Sequence, residues 1–138
     1  MQTFAAPFMN LPLNFSASAV TPANILAEPL LGRWINGNGS VRDLARISIS
    51  TRRGTLIVEA VGTLNTESCD WGAVSGIAYT SSVGSVPAVA FSAQYTFHSS
   101  HVILIGHLQG KRLLVETFTQ FTDNSGRANL YCVDTLSR

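Results

Sequence analysis

An all-β fold, an eight-stranded antiparallel up-and-down barrel carrying an extended apolar N-terminal arm, is what this chain predicts, and three observations predict it. Between Leu30 and Leu136 the sequence breaks into eight short segments in which polar and apolar residues alternate, the period of a strand with one buried face. The segments are joined by clusters of Gly, Asn, Asp and Ser short enough for hairpins. No stretch beyond the arm holds a helical period long enough for the crossover that parallel strands require. The 138 residues suit one domain with a core of its own, and eight meandering strands remove their exposed edges by closing on themselves.

The arm, residues 1–29, precedes the barrel domain, residues 30–138. It holds no charged residue before Glu28, yet it carries Phe4, Phe8, Met9, Leu11, Leu13, Phe15, Val20, Ile25 and Leu26 among four prolines. Proline at that spacing opposes a long helix, and a disordered tail is usually more polar. The segment therefore reads as an extended strip that lies on its own barrel, plugs one end of it, or packs on a neighbouring subunit.

The strands follow in order. Leu30–Asn36, Leu44–Thr51 (with Ile47 and Ile49 alternating against serines) and Thr55–Thr63 are separated by Gly37-Asn38-Gly39-Ser40 and Arg52-Arg53-Gly54. Trp71–Thr80 and Val86–Phe97 flank a serine-rich turn at 81–85; in the second, Val89, Phe91, Ala93, Tyr95 and Phe97 share the inward parity. His101–Gln109, Arg112–Thr122 and Asn129–Leu136 complete the set, turning at Ser99-Ser100, Gly110 and Asp123-Asn124-Ser125-Gly126.

Several strands are apolar on both faces. Leu56, Val58 and Ala60 occupy one face of the third strand while Ile57 and Val61 flank Glu59 on the other, and Ile103, Ile105, Leu114 and Phe118 repeat the pattern downstream. An outer stripe of Ile57, Val61, Ile103, Ile105, Leu114 and Phe118 is unusually apolar for a lone soluble barrel. Together with Phe4, Phe8, Leu11 and Phe15 of the arm it forms the candidate interface.

Charge supports association and excludes one class of partner. Only 12% of residues are charged and the net charge is +1, which offers no footprint for nucleic acid and little repulsion between copies. Arg52-Arg53 and Lys111-Arg112 are solvated turn tips. The expected partner is a second copy of the chain or a larger assembly. No run of about 18 apolar residues exists to make a transmembrane segment. The first residues lack a charged n-region and an unbroken apolar core, so no signal peptide is read and a cytoplasmic setting is favoured.

Chemistry-bearing residues are dispersed, and the reading is non-enzymatic, with no catalytic residue, no metal site and no cofactor. His101 and His107 stand about 20 Å apart on an extended strand; His98 and His101 bracket a turn with no acidic neighbour. Cys69, read as a loop residue beside Asp70, and Cys132 in the last strand are either buried thiols or a disulfide pair. Glu59 and Glu116 sit mid-strand, either as outward ions or as a paired buried site.

The run Gly32-Arg33-Trp34-Ile35-Asn36 resembles the opening strand of the calycin barrels, and Gly-x-Trp-x-Asn in particular is similar to the first strand of avidin-like proteins. The resemblance to this avidin- and lipocalin-containing group implies that Trp34 closes the barrel base and Asn36 touches a ligand. Two functions follow. The first is a structural barrel that self-associates, or docks in a larger assembly, through its arm and its outer apolar faces. The alternative is a carrier of a small apolar ligand lined by Trp34, Asn36, Phe91, Tyr95 and Phe97, with Ala60, Gly62, Ala93 and Gly106 leaving room for it.

Overall fold

The computed structural model describes residues 25–37, 44–64 and 67–138. After a short 3₁₀ turn at Glu28–Leu30, eight strands follow: β1 (Gly32–Asn36), β2 (Arg46–Arg52), β3 (Thr55–Leu64), β4 (Glu67–Thr80), β5 (Ala88–Thr96), β6 (Ser100–Gln109), β7 (Arg112–Phe121) and β8 (Leu130–Ser137). Each pairs antiparallel with the next, and β8 returns to β1, so the sheet is a closed up-and-down barrel. The alternation read from the sequence locates all eight strands. The β2–β3 and β6–β7 turns use the left-handed conformations of Arg53, Gly54 and Gly110, with φ of 53°, 81° and 61°.

Odd-numbered residues of β7 and even-numbered residues of β3 and β6 point inward, as one buried face requires. The interior is filled by Trp34, Ile47, Val58, Phe91, Leu104, Leu113, Val115 and Leu136, none of them exposed. Fully burying an aliphatic or aromatic side chain of this kind contributes about 1.5–3 kcal/mol.

The glycines of the interior are there for neighbours rather than for vacant space. Gly106 faces Phe91 across the β5–β6 ladder, and a Cβ at position 106 falls 2.3 Å from Phe91 Cε1. A Cβ at Gly62 falls 2.9 Å from Trp71 Cζ2. The room expected at both positions is thus taken by aromatic rings.

Residues 25–30 close one end. Leu26 bridges to Pro87 beside β5, its N–H donating to Val86 O at 2.8 Å and its carbonyl accepting from Ala88 N at 2.9 Å. Ile25 and Ala27 pack on the core and Leu30 is wholly buried. The Leu30 carbonyl accepts a 2.8 Å hydrogen bond from the Trp34 indole, so the base of the barrel is held by a side chain of β1 gripping the turn before it. Residues 1–24, which include Phe4, Phe8, Leu11 and Phe15, lie outside the described residues.

β4 departs from the sequence reading in an informative way. The strand begins at Glu67, so Cys69 is a strand residue with a free thiol rather than part of a loop. The register slips between Ala60, which faces Gly72, and Val61, which faces Asp70. Trp71 is therefore the extra residue of a β-bulge. Gly72 takes φ 87° and donates its N–H to Asp70 Oδ1 at 2.8 Å. The turn-like motif Asp70-Trp71-Gly72 is real, but it bends a strand instead of leading into one.

Candidate functional site

At the end opposite Leu30 the bulge turns the Trp71 indole toward Gly62, where the missing side chain admits it. Trp71 then meets Tyr95 and Phe97 edge-on, with centroids 5.5 and 5.7 Å away, while Tyr95 and Phe97 stack at 5.8 Å. Trp71 and Phe97 wall one side of a cavity of about 270 Å³ that opens at this end. Its other walls come from Leu44, Val102, Phe121 and Leu130, and its polar lining from Thr63, Ser99, Ser100, Thr117, Thr119, Cys132 and Asp134.

Asp134 is buried, 6% exposed. Its Oδ1 accepts a 3.0 Å hydrogen bond from Asn36 Nδ2, which also donates to Leu44 O at 2.8 Å. Thr117, 7% exposed, has no hydrogen-bond partner for its hydroxyl, and the Trp71 Nε1–H is likewise buried without an acceptor. Arg127 lies at the rim, its guanidinium 4.0 Å from the Phe121 ring centroid and 2.7 Å from Asp123 Oδ2. The Ser125 hydrogen bonds, followed by the Arg127 contact, hold the Asp123 carboxyl well below the usual carboxylate range.

Of the residues expected to line a ligand site, Phe97 faces this cavity, Asn36 stands behind it holding Asp134, and Trp34, Phe91 and Tyr95 lie within the packed interior. The Tyr95 hydroxyl donates to Val58 O at 2.9 Å and Gly72 O at 3.1 Å, tying β5 to β3 and to the bulge. Burial pushes its phenol well above the ordinary value of 10. A raised folded-state value means that its stabilising contribution is complete below about pH 10 and is lost as the pH climbs beyond it. Tyr95→Phe is expected to cost about 1–3 kcal/mol at neutral pH by urea denaturation, because two carbonyls lose their donor. It should also flatten the loss of stability above pH 10; an unchanged alkaline limb refutes the assignment.

The outer surface carries a second candidate. Ile103 faces Phe118 and Ile105 faces Glu116 across β6–β7, while Phe118 faces Tyr131 and Glu116 faces Val133 across β7–β8. Ser92 of β5 lies between Ile105 and Ile77 of β4. Ile77, Tyr79, Ile105, Phe118, Tyr131 and Val133 are all exposed, Ile77 at 58% and Tyr131 at 55%. Phe118 and Tyr131 tilt together with centroids 5.0 Å apart. The carboxylate here, Glu116, accepts a 2.6 Å hydrogen bond from Tyr131, and that bond raises the Tyr131 phenol.

Comparison with family models, with curated proteins and with solved structures finds no match in any of the three.

The expected stripe thus divides. Ile103, Ile105, Leu114 and Phe118 share one continuous face over β6 and β7, whereas Ile57 and Val61 lie on β3, beyond β4 and β5. The sequence reading missed Ile77, Tyr79, Tyr131 and Val133, whose parity in β4 and β8 marks them as outward. The histidines lie apart from the cavity lining: His101 contacts Thr96 Oγ1 and Gln94 Oε1, both at 3.2 Å. Among the described residues no three His, Cys, Asp or Glu side chains cluster as a metal site, and no helix is long and apolar enough to cross a membrane.

Proposed function

We propose that the protein is a non-enzymatic interaction barrel that self-associates through the outer face of β4–β8. The observation that carries this reading is the exposed apolar cluster of Ile105, Phe118, Tyr131 and Val133 around Glu116 on β6–β8, with Ile77 and Tyr79 beyond Ser92 on β4. Patches of this kind mark association surfaces rather than ordinary solvent-facing sheet. A second copy of the chain is the occupant best matched to it. The carboxylate on the face is already satisfied by Tyr131, and with a net charge of +1 two copies meet little long-range repulsion. A two-fold contact sets the same face against itself and stacks Phe118 and Tyr131 against aliphatic neighbours, the aromatic-rich composition of interface cores. In this reading the N-terminal segment adds to the contact, and removing residues 1–24 weakens it.

The test is the solution mass of the full chain and of a double variant, Ile105→Lys with Val133→Lys. Both positions sit across from Glu116, so the new ammonium groups meet a carboxylate and the barrel is spared like-charge strain. Light scattering is expected to show an oligomer for the native chain and a 14.8 kDa monomer for the variant, with unchanged far-UV circular dichroism. A native chain that stays monomeric at high micromolar concentration refutes the proposal.

A further inference from the structure

We propose that the groove between residues 25–27 and the β2–β3 turn is the seat of the chain's own N-terminal segment, with Phe15 and Val20 as the side chains that enter it. The seat lies within one chain and needs no second copy, so it stands or falls apart from self-association.

The groove has a volume of about 280 Å³ and lies at the Leu30 end of the barrel. Ile25 and Ala27 line one side of it, and Thr51 and Thr55 the side of the β2–β3 turn. Leu56, which is buried, and Ala78, which packs on the core, join it to the barrel interior. Among the described residues none that line it is charged. Such a surface receives an apolar strip without stripping water from an ion.

Three observations name the occupant. The first is position. Ile25 begins the described residues and itself lines the groove, while the Leu26 backbone is strapped to Val86 O and Ala88 N. The preceding chain is therefore tethered at the groove's lip. The second is composition. Residues 1–24 contain no charged side chain and carry Phe4, Phe8, Leu11, Leu13, Phe15 and Val20, the uncharged apolar character that the lining asks for. The third is reach. Val20 stands five residues before Ile25 and Phe15 ten, so at about 3.3 Å per residue both span the groove. Pro22 presets the backbone angle of a turn's second position, so Thr21-Pro22-Ala23-Asn24 suits a reversal that brings Val20 back to the lip.

Tethering also decides against a separate partner. A segment attached by a short linker faces its site at an effective concentration of order millimolar, which a free peptide has to exceed to displace it. Ile77 belongs both to this lining and to the exposed outer face, so a seated segment lies against the edge of that face.

The test is nuclear magnetic resonance on the full chain. Overhauser contacts from the Val20 methyls or the Phe15 ring to the Leu56 and Ala78 methyls are the expected result. Val20→Ser and Phe15→Ser, made separately, should each move the amide cross-peaks of Gly54 and Gly76, which line the groove, by several linewidths. The peak of Gly126, beside Arg127 at the opposite rim, should stay in place. If the contacts are missing and the Gly54 and Gly76 peaks hold still, the groove belongs to another occupant and the proposal fails. Contacts that arise only between labelled and unlabelled copies in a mixed sample put the segment on a neighbour's barrel and overturn the assignment. The contacts are read on the native chain, so misfolding of a variant does not shield the proposal. A monomer that shows them keeps the seat and loses self-association; an oligomer without them does the reverse.

Discussion

Trp34→Ala should be the most damaging single truncation in the chain. Removal of a fully buried tryptophan from a packed interior costs about 3–5 kcal/mol, and Trp34 has no exposed surface. The loss extends beyond the ring. Its indole is the donor to Leu30 O, and the Arg138 guanidinium lies over its face at 4.3 Å. The truncation therefore also releases the 3₁₀ turn from the barrel base and removes the surface on which the C-terminal arginine rests. Against a typical net stability of about 5–15 kcal/mol, such a change leaves little margin. Trp34→Phe keeps most of the volume, loses the hydrogen bond, and should cost about half as much. Urea midpoints for the pair measure both effects; a loss under about 1 kcal/mol for the alanine variant contradicts the structure.

The second large effect has the opposite sign from what strand propensity suggests. Glycine within a strand is ordinarily a weak point, and alanine in its place gains roughly 0.5–1 kcal/mol. At Gly106 the added methyl falls 2.3 Å from Phe91 Cε1, 2.9 Å from Cζ and 3.0 Å from Cδ1. Phe91 is wholly buried, so its ring has no open side to which it can swing. Gly106→Ala is expected to destabilise by about 1–3 kcal/mol through overpacking. Pairing it with Phe91→Leu should recover part of that loss, and the recovery is a coupling energy that a double-mutant cycle reads directly. Additive effects of the two substitutions dismiss the steric account.

These two sites also show what was legible in the sequence. Alternation placed Phe91 and Tyr95 inward and put Gly106 on a strand, because side-chain direction follows directly from a period of two. Which ring fills which glycine depends on register between strands, and the register of β5 against β6 is not written in either strand alone. Trp71 illustrates the same limit from another side. The motif Cys69-Asp70-Trp71-Gly72 carries turn chemistry, and the sequence reading started the strand only at Trp71. The structure keeps both the turn chemistry and the strand, since a bulge needs a positive φ at Gly72 and a side-chain acceptor at Asp70 just as a turn does.

Asp134 was within reach. It shares parity with Leu136, an inward residue, and an acidic side chain on an inward face is a signal in itself. The division of the outer stripe was legible in principle too, since a meander makes β6 and β7 neighbours and leaves β3 apart. What alternation lacks is the identity of the outward residues that matter. Ile77, Tyr131 and Val133 differ from any other outward residue only once five adjacent strands are laid side by side.

The ladder that closes the barrel has consequences in time. Among the described residues β1 meets β8 only at Ile35–Ser137 and Asn36–Leu136, a far shorter seam than the β6–β7 ladder from Ser100–Phe121 to Gln109–Arg112. Its reinforcement comes from side chains: Asn36 on Asp134, and Arg138 Nη1 donating to Leu31 O at 2.6 Å. The two strands of this seam are the most distant in the barrel's order along the chain, so their meeting carries the largest loop-closure cost. Until β8 is in place, β1 lacks its second neighbour and its edge is bare. Exposed edges of that kind recruit other chains. For this protein the hazard of aggregation is therefore concentrated in the interval before its last strand arrives.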